Sequence, residues 1–130
     1  MEAIKKFKRD VYFTNDHEWI DFQGAVAYIG VCRFKLTGFR TVESLNIQQP
    51  GFFLQKGEVV ATISYKEYSI TVCMPVAGKL LQINDDLLNG NENILLSDAE
   101  NNGWIGLIVP AQPYERNDLL PPKKYRFSSK

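Results

Sequence analysis

The chain has few of the residues that catalytic and metal-binding sites need. Its 130 residues include one histidine, His17, and two widely separated cysteines, Cys32 and Cys73. A single histidine excludes a multi-histidine metal site, and nothing in the sequence brings it beside either cysteine for cysteine–histidine catalysis. The cysteines form no C-x-x-C pair and no disulfide framework, so we expect two small buried apolar residues in a reducing cytoplasm. We expect His17 to be a hydrogen-bonded structural residue.

Long apolar runs, an excess of one charge and nucleotide-binding motifs are also missing. No apolar stretch approaches the ~20 residues that cross a bilayer, and the charged start of the chain lacks the apolar segment of a secretory signal. Fifteen basic and fifteen acidic residues leave a net charge of zero, which argues against nucleic acid or a membrane surface as partner. There is no phosphate-binding loop and no G-x-G-x-x-G motif. With the pair Asp85-Asp86 interpreted as solvated loop carboxylates, the sequence predicts no catalytic residue, no metal ligand and no enzyme.

Short segments of β-strand character, separated by turn residues, make up most of the chain. The predicted strands are 11–14, 18–22, 25–29, 42–47, 52–54, 59–65, 68–74, 79–83 and 104–109. Helical turns are predicted at 34–39 and 94–96, a loop at 84–93, and a terminal helix at 114–120 that ends before Pro121-Pro122. This spacing is typical of a small barrel or sandwich. We expect an N-terminal arm at 1–10 and a single domain at 11–130.

The segment 62–71, TISYKEYSIT, has the same sequence in both directions except for Lys66-Glu67 at its centre. If these two residues form a hairpin turn, Tyr65 faces Tyr68, and each residue further from the turn faces a residue of the same type on the other strand. Aromatic and β-branched cross-strand pairs each contribute about 0.2–1 kcal/mol, so strand pairing is a sufficient explanation of the mirror. Lys-Glu is a poor two-residue turn because the favoured turns contain Asn or Gly. A wider loop that includes both tyrosines is therefore the alternative.

Several motifs occur in an order that resembles one known family. They are His17-Glu18-Trp19, Lys56-Gly57-Glu58, Met74-Pro75-Val76-Ala77-Gly78, Gly103-Trp104-Ile105 and Asp118-Leu119-Leu120 followed by Tyr125. They resemble H-E-W, K-G-D, A-P-V-S-G, G-W-L and the D-E-L-L tail with its tyrosine in the H protein of the glycine cleavage system. The resemblance extends from about residue 11 to residue 125 with almost no gaps.

The resemblance implies both a fold and a function. The fold would be mainly β, a barrel-sandwich hybrid of the lipoyl- and biotinyl-carrier type with short helices and a C-terminal helix. The function would be that of a non-catalytic carrier, whose lipoyl arm takes an aminomethyl group from glycine decarboxylase to aminomethyltransferase. Dihydrolipoyl dehydrogenase would reoxidise the arm, and a lipoate ligase would attach it.

The attachment motif of that family, E-S-V-K-A, is not reproduced. Both the spacing after Gly57 and the spacing before Pro75 place the family's lysine at Glu67, ten residues after the first and eight before the second. Glutamate cannot form the amide with lipoate, so Lys66, one position early, is the only candidate for the attachment. Adjacent strand residues point to opposite faces, which argues against modification at Lys66, although a turn relaxes this rule.

A second interpretation follows from this displacement. The chain would be a divergent paralogue that carries no lipoate and acts as a protein-interaction module. Tyr65, Tyr68 and Phe34 are then the first candidates for the contact surface, with cross-strand packing as the structural alternative for the tyrosines. For Phe34 and Phe39 the sequence favours burial in the core.

Overall fold

The part of the chain that the structure describes forms nine strands and a few short helices. The structure is a computed structural model, and it describes residues 9–111 and 118–128. The strands are β1 (Val11–Phe13), β2 (Glu18–Gln23), β3 (Val26–Val31), β4 (Ser44–Ile47), β5 (Phe53–Leu54), β6 (Val59–Tyr65), β7 (Tyr68–Cys73), β8 (Gly78–Ile83) and β9 (Gly106–Pro110). The helices are a 3-10 turn (Arg33–Leu36), α1 (Asp85–Leu88), α2 (Ile94–Ser97) and α3 (Pro122–Ser128).

The strands form two antiparallel sheets that share one core. One sheet has six strands in the order β1-β2-β3-β9-β8-β5, and the other has three in the order β4-β6-β7. Side chains from both sheets meet in the same apolar cluster, for example Ile20 and Ile108 from the larger sheet and Ile63 from the smaller one. This is the predicted mainly-β barrel-sandwich with short helices and a C-terminal helix.

A buried carboxylate joins the two sheets. Glu18 lies on β2 of the larger sheet and is 2% exposed. Its Oε2 accepts the backbone N–H of Cys73 on β7 at 2.9 Å and the Lys35 ammonium at 3.3 Å. Its Oε1 accepts the hydroxyl of Thr14 at 2.9 Å. Buried charges persist when they are paired and hydrogen-bonded in this way, so Glu18 fixes β7 relative to β2.

Two helices, α1 and α3, depart from the predictions, whereas the helical turns predicted at 34–39 and 94–96 are observed as the 3-10 turn and α2. α1 lies inside the predicted loop 84–93, because the side chain of Asn84 accepts the N–H of Asp86 and so caps a helix whose first turn is acidic. The terminal helix begins at Pro122, so the expectation that this proline pair ends a helix is wrong. Proline suits the first helical position, where no N–H is needed. The first residues of the predicted helix, 114–117, lie outside the described residues, and Leu120 instead pairs with Phe13 of β1.

Two expectations about burial are also wrong. Phe34 is 52% exposed and not part of the core, whereas Phe39 packs against the core as predicted. Cys32 is buried, but Cys73 is only half-buried. Within the described residues, no helix has the length and apolar character to span a membrane.

Candidate functional site

Strands β6 and β7 form the hairpin that the mirrored sequence predicts. The paired residues are Tyr65 with Tyr68, Ser64 with Ser69, Ile63 with Ile70 and Thr62 with Thr71. Ile63 is fully buried, whereas Ser69 and Thr71 are exposed, so one face of the hairpin lies on the core and the other faces solvent. The hairpin therefore projects its two central residues from a support that the core holds in place.

The turn itself is the tight two-residue form, and the wider loop is wrong. Tyr65 and Tyr68 pair directly, which leaves only Lys66 and Glu67 in the turn between the two strands. Lys66 has φ +53°, a left-handed backbone conformation. That conformation costs a non-glycine residue about 1–2 kcal/mol, so contacts around the turn must offset it. Both central side chains are exposed.

One of those contacts comes from outside the hairpin. The N–H of Lys66 donates to Oε1 of Glu43 at 2.9 Å. Glu43 directly precedes β4, and its own N–H donates to the carbonyl oxygen of Ser64 at 2.9 Å. The sequence analysis missed Glu43, because neither strand periodicity nor a motif connects it with a turn that lies 23 residues further along the chain.

Three aromatic rings lie beneath the turn. The rings of Tyr65 and Tyr68 stack with their centroids 6.4 Å apart and their planes at 8°. The ring of Phe39 lies 5.9 Å from Tyr65 and 6.2 Å from Tyr68. Tyr65 is 7% exposed and belongs to the packed interior, whereas Tyr68 is 57% exposed. The cross-strand packing alternative therefore holds for Tyr65, and only Tyr68 presents surface to a partner.

The amine of Lys66 lies over this aromatic group. Its Nζ is 5.5 Å from the centroid of the Tyr65 ring, a cation–π distance. At an exposed site such a contact is worth about 0.5–1 kcal/mol, too little to sequester the amine. An exposed primary amine on a tight turn can be acylated, and Lys66 is the only lysine in the hairpin. Glu67, beside it, has no nucleophilic nitrogen.

Phe34 forms a second exposed aromatic feature near the first. Its ring packs on the imidazole of His17 with the centroids 4.5 Å apart. It borders a shallow cleft of about 420 Å³ whose walls also include Phe39. The other lining residues are Arg33, Leu36, Thr37 and Leu96. Because Phe39 contacts both tyrosines, the cleft adjoins the base of the hairpin turn.

The remaining sequence-predicted residues are structural. His17 has φ +66°, and its Nδ1 is 2.8 Å from the hydroxyl of Tyr125, which attaches α3 to the larger sheet. Burial raises the pKa of the Cys32 thiol to about 12, so this thiol is not a nucleophile near neutral pH. Burial also raises the pKa of Cys73. Asp85 and Asp86 lie in the first turn of α1, and no metal-binding group of three such side chains occurs among the described residues.

Comparison with known proteins gives a consistent result. The family described as "Glycine cleavage H-protein" matches residues 11–130. The glycine cleavage system H protein of Bacteroides fragilis is 30% identical over 120 residues, which cover 92% of this chain and 94% of that protein. The probable glycine cleavage system H protein of Aeropyrum pernix is 27% identical over 118 residues, covering 91% and 82%. The crystal structure of the H protein from Mycobacterium marinum has a TM-score of 0.80 at 17% identity, covering 94% of this chain and 98% of that one, and supports the fold.

Proposed function

The chain belongs to the glycine cleavage H-protein family, and from this premise we propose that it is a non-catalytic carrier whose Lys66 amine receives a lipoyl group. The observation that carries the proposal is the position of Lys66 at the exposed tip of the β6–β7 hairpin, on a tight turn. An attachment site needs a primary amine that a ligase can reach, and this amine must project from a rigid part of the fold. Lys66 meets both requirements, although it stands one residue before the position that the family spacing indicates.

The tip geometry supports attachment despite this displacement. In a strand, a shift by one residue would turn the side chain to the opposite face. Lys66 and Glu67 are the two central residues of a turn, and both side chains are exposed. The one-residue shift therefore moves the amine along the tip and does not bury it.

The attachment would be an ordinary acyl transfer. The unprotonated Nζ of Lys66 attacks the carbonyl carbon of an activated acyl donor, lipoyl-AMP, which a lipoate ligase makes from lipoate and ATP with release of pyrophosphate. The amide N–C bond forms as the bond to AMP breaks, and the nitrogen gives its proton to solvent. No group of this chain has to act as a catalyst.

The residues of this chain then present the arm and hold its base. When attached at Lys66, a lipoyl group would supply a redox-active disulfide able to carry an aminomethyl group. Tyr65, Tyr68 and Phe39 pack beneath the turn and keep the point of attachment in place. The partners in this proposal are glycine decarboxylase, aminomethyltransferase and dihydrolipoyl dehydrogenase.

The test is the intact mass of the protein after incubation with lipoate ligase, ATP and lipoate. We expect the mass to increase by one lipoyl amide in the wild type and in Lys79→Arg, which alters another exposed lysine as a matched control. Lys66→Arg should show no increase. The absence of an adduct in the wild type, with an adduct in the exchange Lys66→Glu plus Glu67→Lys, would refute the proposal and show that the scaffold accepts an arm only at position 67.

A second candidate function is that of a protein-interaction module without lipoate. The exposure of Phe34 (52%) and Tyr68 (57%) favours it, because both lie beside Phe39 and exposed apolar side chains that lie together often mark an interaction surface. An unmodified wild type together with an unmodified exchange variant would support this alternative.

A further inference from the structure

The hydrogen bond at the hairpin tip assigns a role to a residue outside the hairpin. We infer that Glu43 is a positioning residue: its carboxylate fixes the backbone of Lys66 and thereby directs the amine for acylation. This inference rests on the proposed function, because it assumes that the amine of Lys66 is the acceptor. Its conformational part, the effect of Glu43 on the turn, is independent of any ligase.

Glu43 makes two hydrogen bonds to the hairpin, one just before the turn and one within it. Its N–H donates to the carbonyl oxygen of Ser64, two residues before Lys66, at 2.9 Å. Its Oε1 accepts the N–H of Lys66, also at 2.9 Å. The first bond continues the β4–β6 ladder, in which Ser44 pairs with Ser64, so the backbone of Glu43 is held by the sheet. The side chain therefore reaches the turn from a fixed base.

The turn needs such a contact because its residues do not favour it. Two-residue hairpin turns normally place glycine or asparagine where the backbone is left-handed, and here a lysine occupies that position with φ +53°. A hydrogen bond from its N–H to a carboxylate is charge-assisted and stronger than one to a neutral acceptor. The bond therefore shifts the backbone of Lys66 towards the left-handed conformation.

The backbone conformation of Lys66 determines where its amine points. The direction of the Cα–Cβ bond follows from φ and ψ, so a turn that samples other conformations distributes the amine over a wider range of positions. In the described conformation the Nζ lies 5.5 Å from the centre of the Tyr65 ring. A ligase that binds the hairpin in a single pose requires the amine in one place, since misplacement by about 1 Å lowers rates strongly.

Within the hairpin itself, no acidic side chain takes the place of Glu43 beside the Lys66 amide. Ser64 stands where the family motif has its glutamate when Glu67 is aligned with the family lysine. Glu67 is at the tip itself and is exposed. Glu43 brings its carboxylate to the same end of the hairpin from the residue directly before β4.

The experiment compares Glu43→Ala and Glu43→Gln with the wild type in two measurements. The first is hydrogen exchange and chemical shift of the Lys66 amide in ¹H–¹⁵N spectra of the full chain. The second is the initial rate of acylation by lipoate ligase with ATP and lipoate, followed by intact mass. Glu43 is exposed, so all variants should fold, and a thermal unfolding curve of each verifies this.

We expect Glu43→Ala to expose the Lys66 amide to exchange and to slow acylation about fivefold, the loss of one hydrogen bond's net contribution of about 1 kcal/mol. Glu43→Gln keeps an acceptor oxygen and should retain most of the rate. Glu67→Gln removes a neighbouring negative charge as the matched control and should leave both measurements unchanged.

Three outcomes would overturn the inference. If Glu43→Ala is acylated at the wild-type rate, Glu43 does not position the amine, although the carrier function stands. If Glu43→Gln loses as much rate as Glu43→Ala while its Lys66 amide stays protected, the carboxylate is a charge that the ligase recognises and not a positioning group. If the wild type is not acylated at all, the proposed function fails and the positioning role with it, while the amide measurement still decides whether Glu43 holds the turn.

Discussion

The carboxylate of Glu18 is expected to make a large contribution to stability for a side chain of its size, because it connects the two sheets. Replacement by alanine leaves the N–H of Cys73 and the hydroxyl of Thr14 without their acceptor and removes the partner of Lys35. An unsatisfied buried amide costs about 1–3 kcal/mol. The side chain of Lys35 is 19% exposed, so its ion pair adds at most about 1 kcal/mol, because water replaces the lost partner in part. We expect Glu18→Ala to lower the free energy of unfolding by about 2–4 kcal/mol.

Glu18→Gln separates the hydrogen bonds from the charge. With its oxygen towards Cys73 and its NH₂ group towards the Thr14 hydroxyl, which can also accept, glutamine satisfies the same neighbours as a neutral group. Only the charge assistance is lost, so the cost should be about 1 kcal/mol. The comparison of the two variants therefore separates the hydrogen bonds of Glu18, including the one that joins β2 to β7, from its charge.

The assay is urea-induced unfolding followed by tryptophan fluorescence, to which Trp19, adjacent to Glu18, contributes. Glu67→Ala, a substitution of an exposed glutamate, is the control and should change the free energy of unfolding by less than about 0.5 kcal/mol. The reasoning is refuted if Glu18→Ala costs less than about 1 kcal/mol, or if Glu18→Gln is as damaging as Glu18→Ala.

Two further predictions concern the buried residues near Glu18. A Cβ added at Gly30 would lie 2.6 Å from the ring of Trp19, whose position is fixed by its N–H bond to the carbonyl of Ala99. Gly30→Ala should therefore destabilise the fold by about 1–3 kcal/mol, measured by thermal unfolding. The effect should be smaller in a Trp19→Leu background, and an unchanged effect there would contradict the steric explanation. Burial raises the pKa of the Cys32 thiol from 9.0 to about 12. Between these pH values the thiol stays protonated in the folded chain but loses its proton in the unfolded chain. As the pH rises through this range, the wild type should therefore lose stability relative to Cys32→Ala, by up to about 1.4 kcal/mol per pH unit. Parallel stability curves of the two proteins across that range would show that the thiol does not titrate as described.

Sequence predicts best those elements whose structure depends on residues close together in the chain. The mirrored segment predicted the register of β6 and β7 residue by residue, because adjacent strands of a hairpin pair through a short turn. Two helices, α1 and α3, are predicted less well, also for local reasons. Its composition places Asn84 in a predicted loop, yet it caps α1; Pro122 is predicted to stop a helix, yet it begins α3.

The chain's own sequence determined the family resemblance, the barrel-sandwich class and the hairpin with a single lysine at its tip. Tertiary structure decided how that lysine is held: a tight turn, a left-handed backbone, the carboxylate of Glu43 and the ring of Phe39 beneath. It also decided that Glu18 would join the two sheets. The physical reason is the same in each case. Periodicity and turn chemistry act between neighbours in the chain, whereas these contacts join residues far apart in sequence, which meet only when β4 pairs with β6 and the sheets enclose a common core.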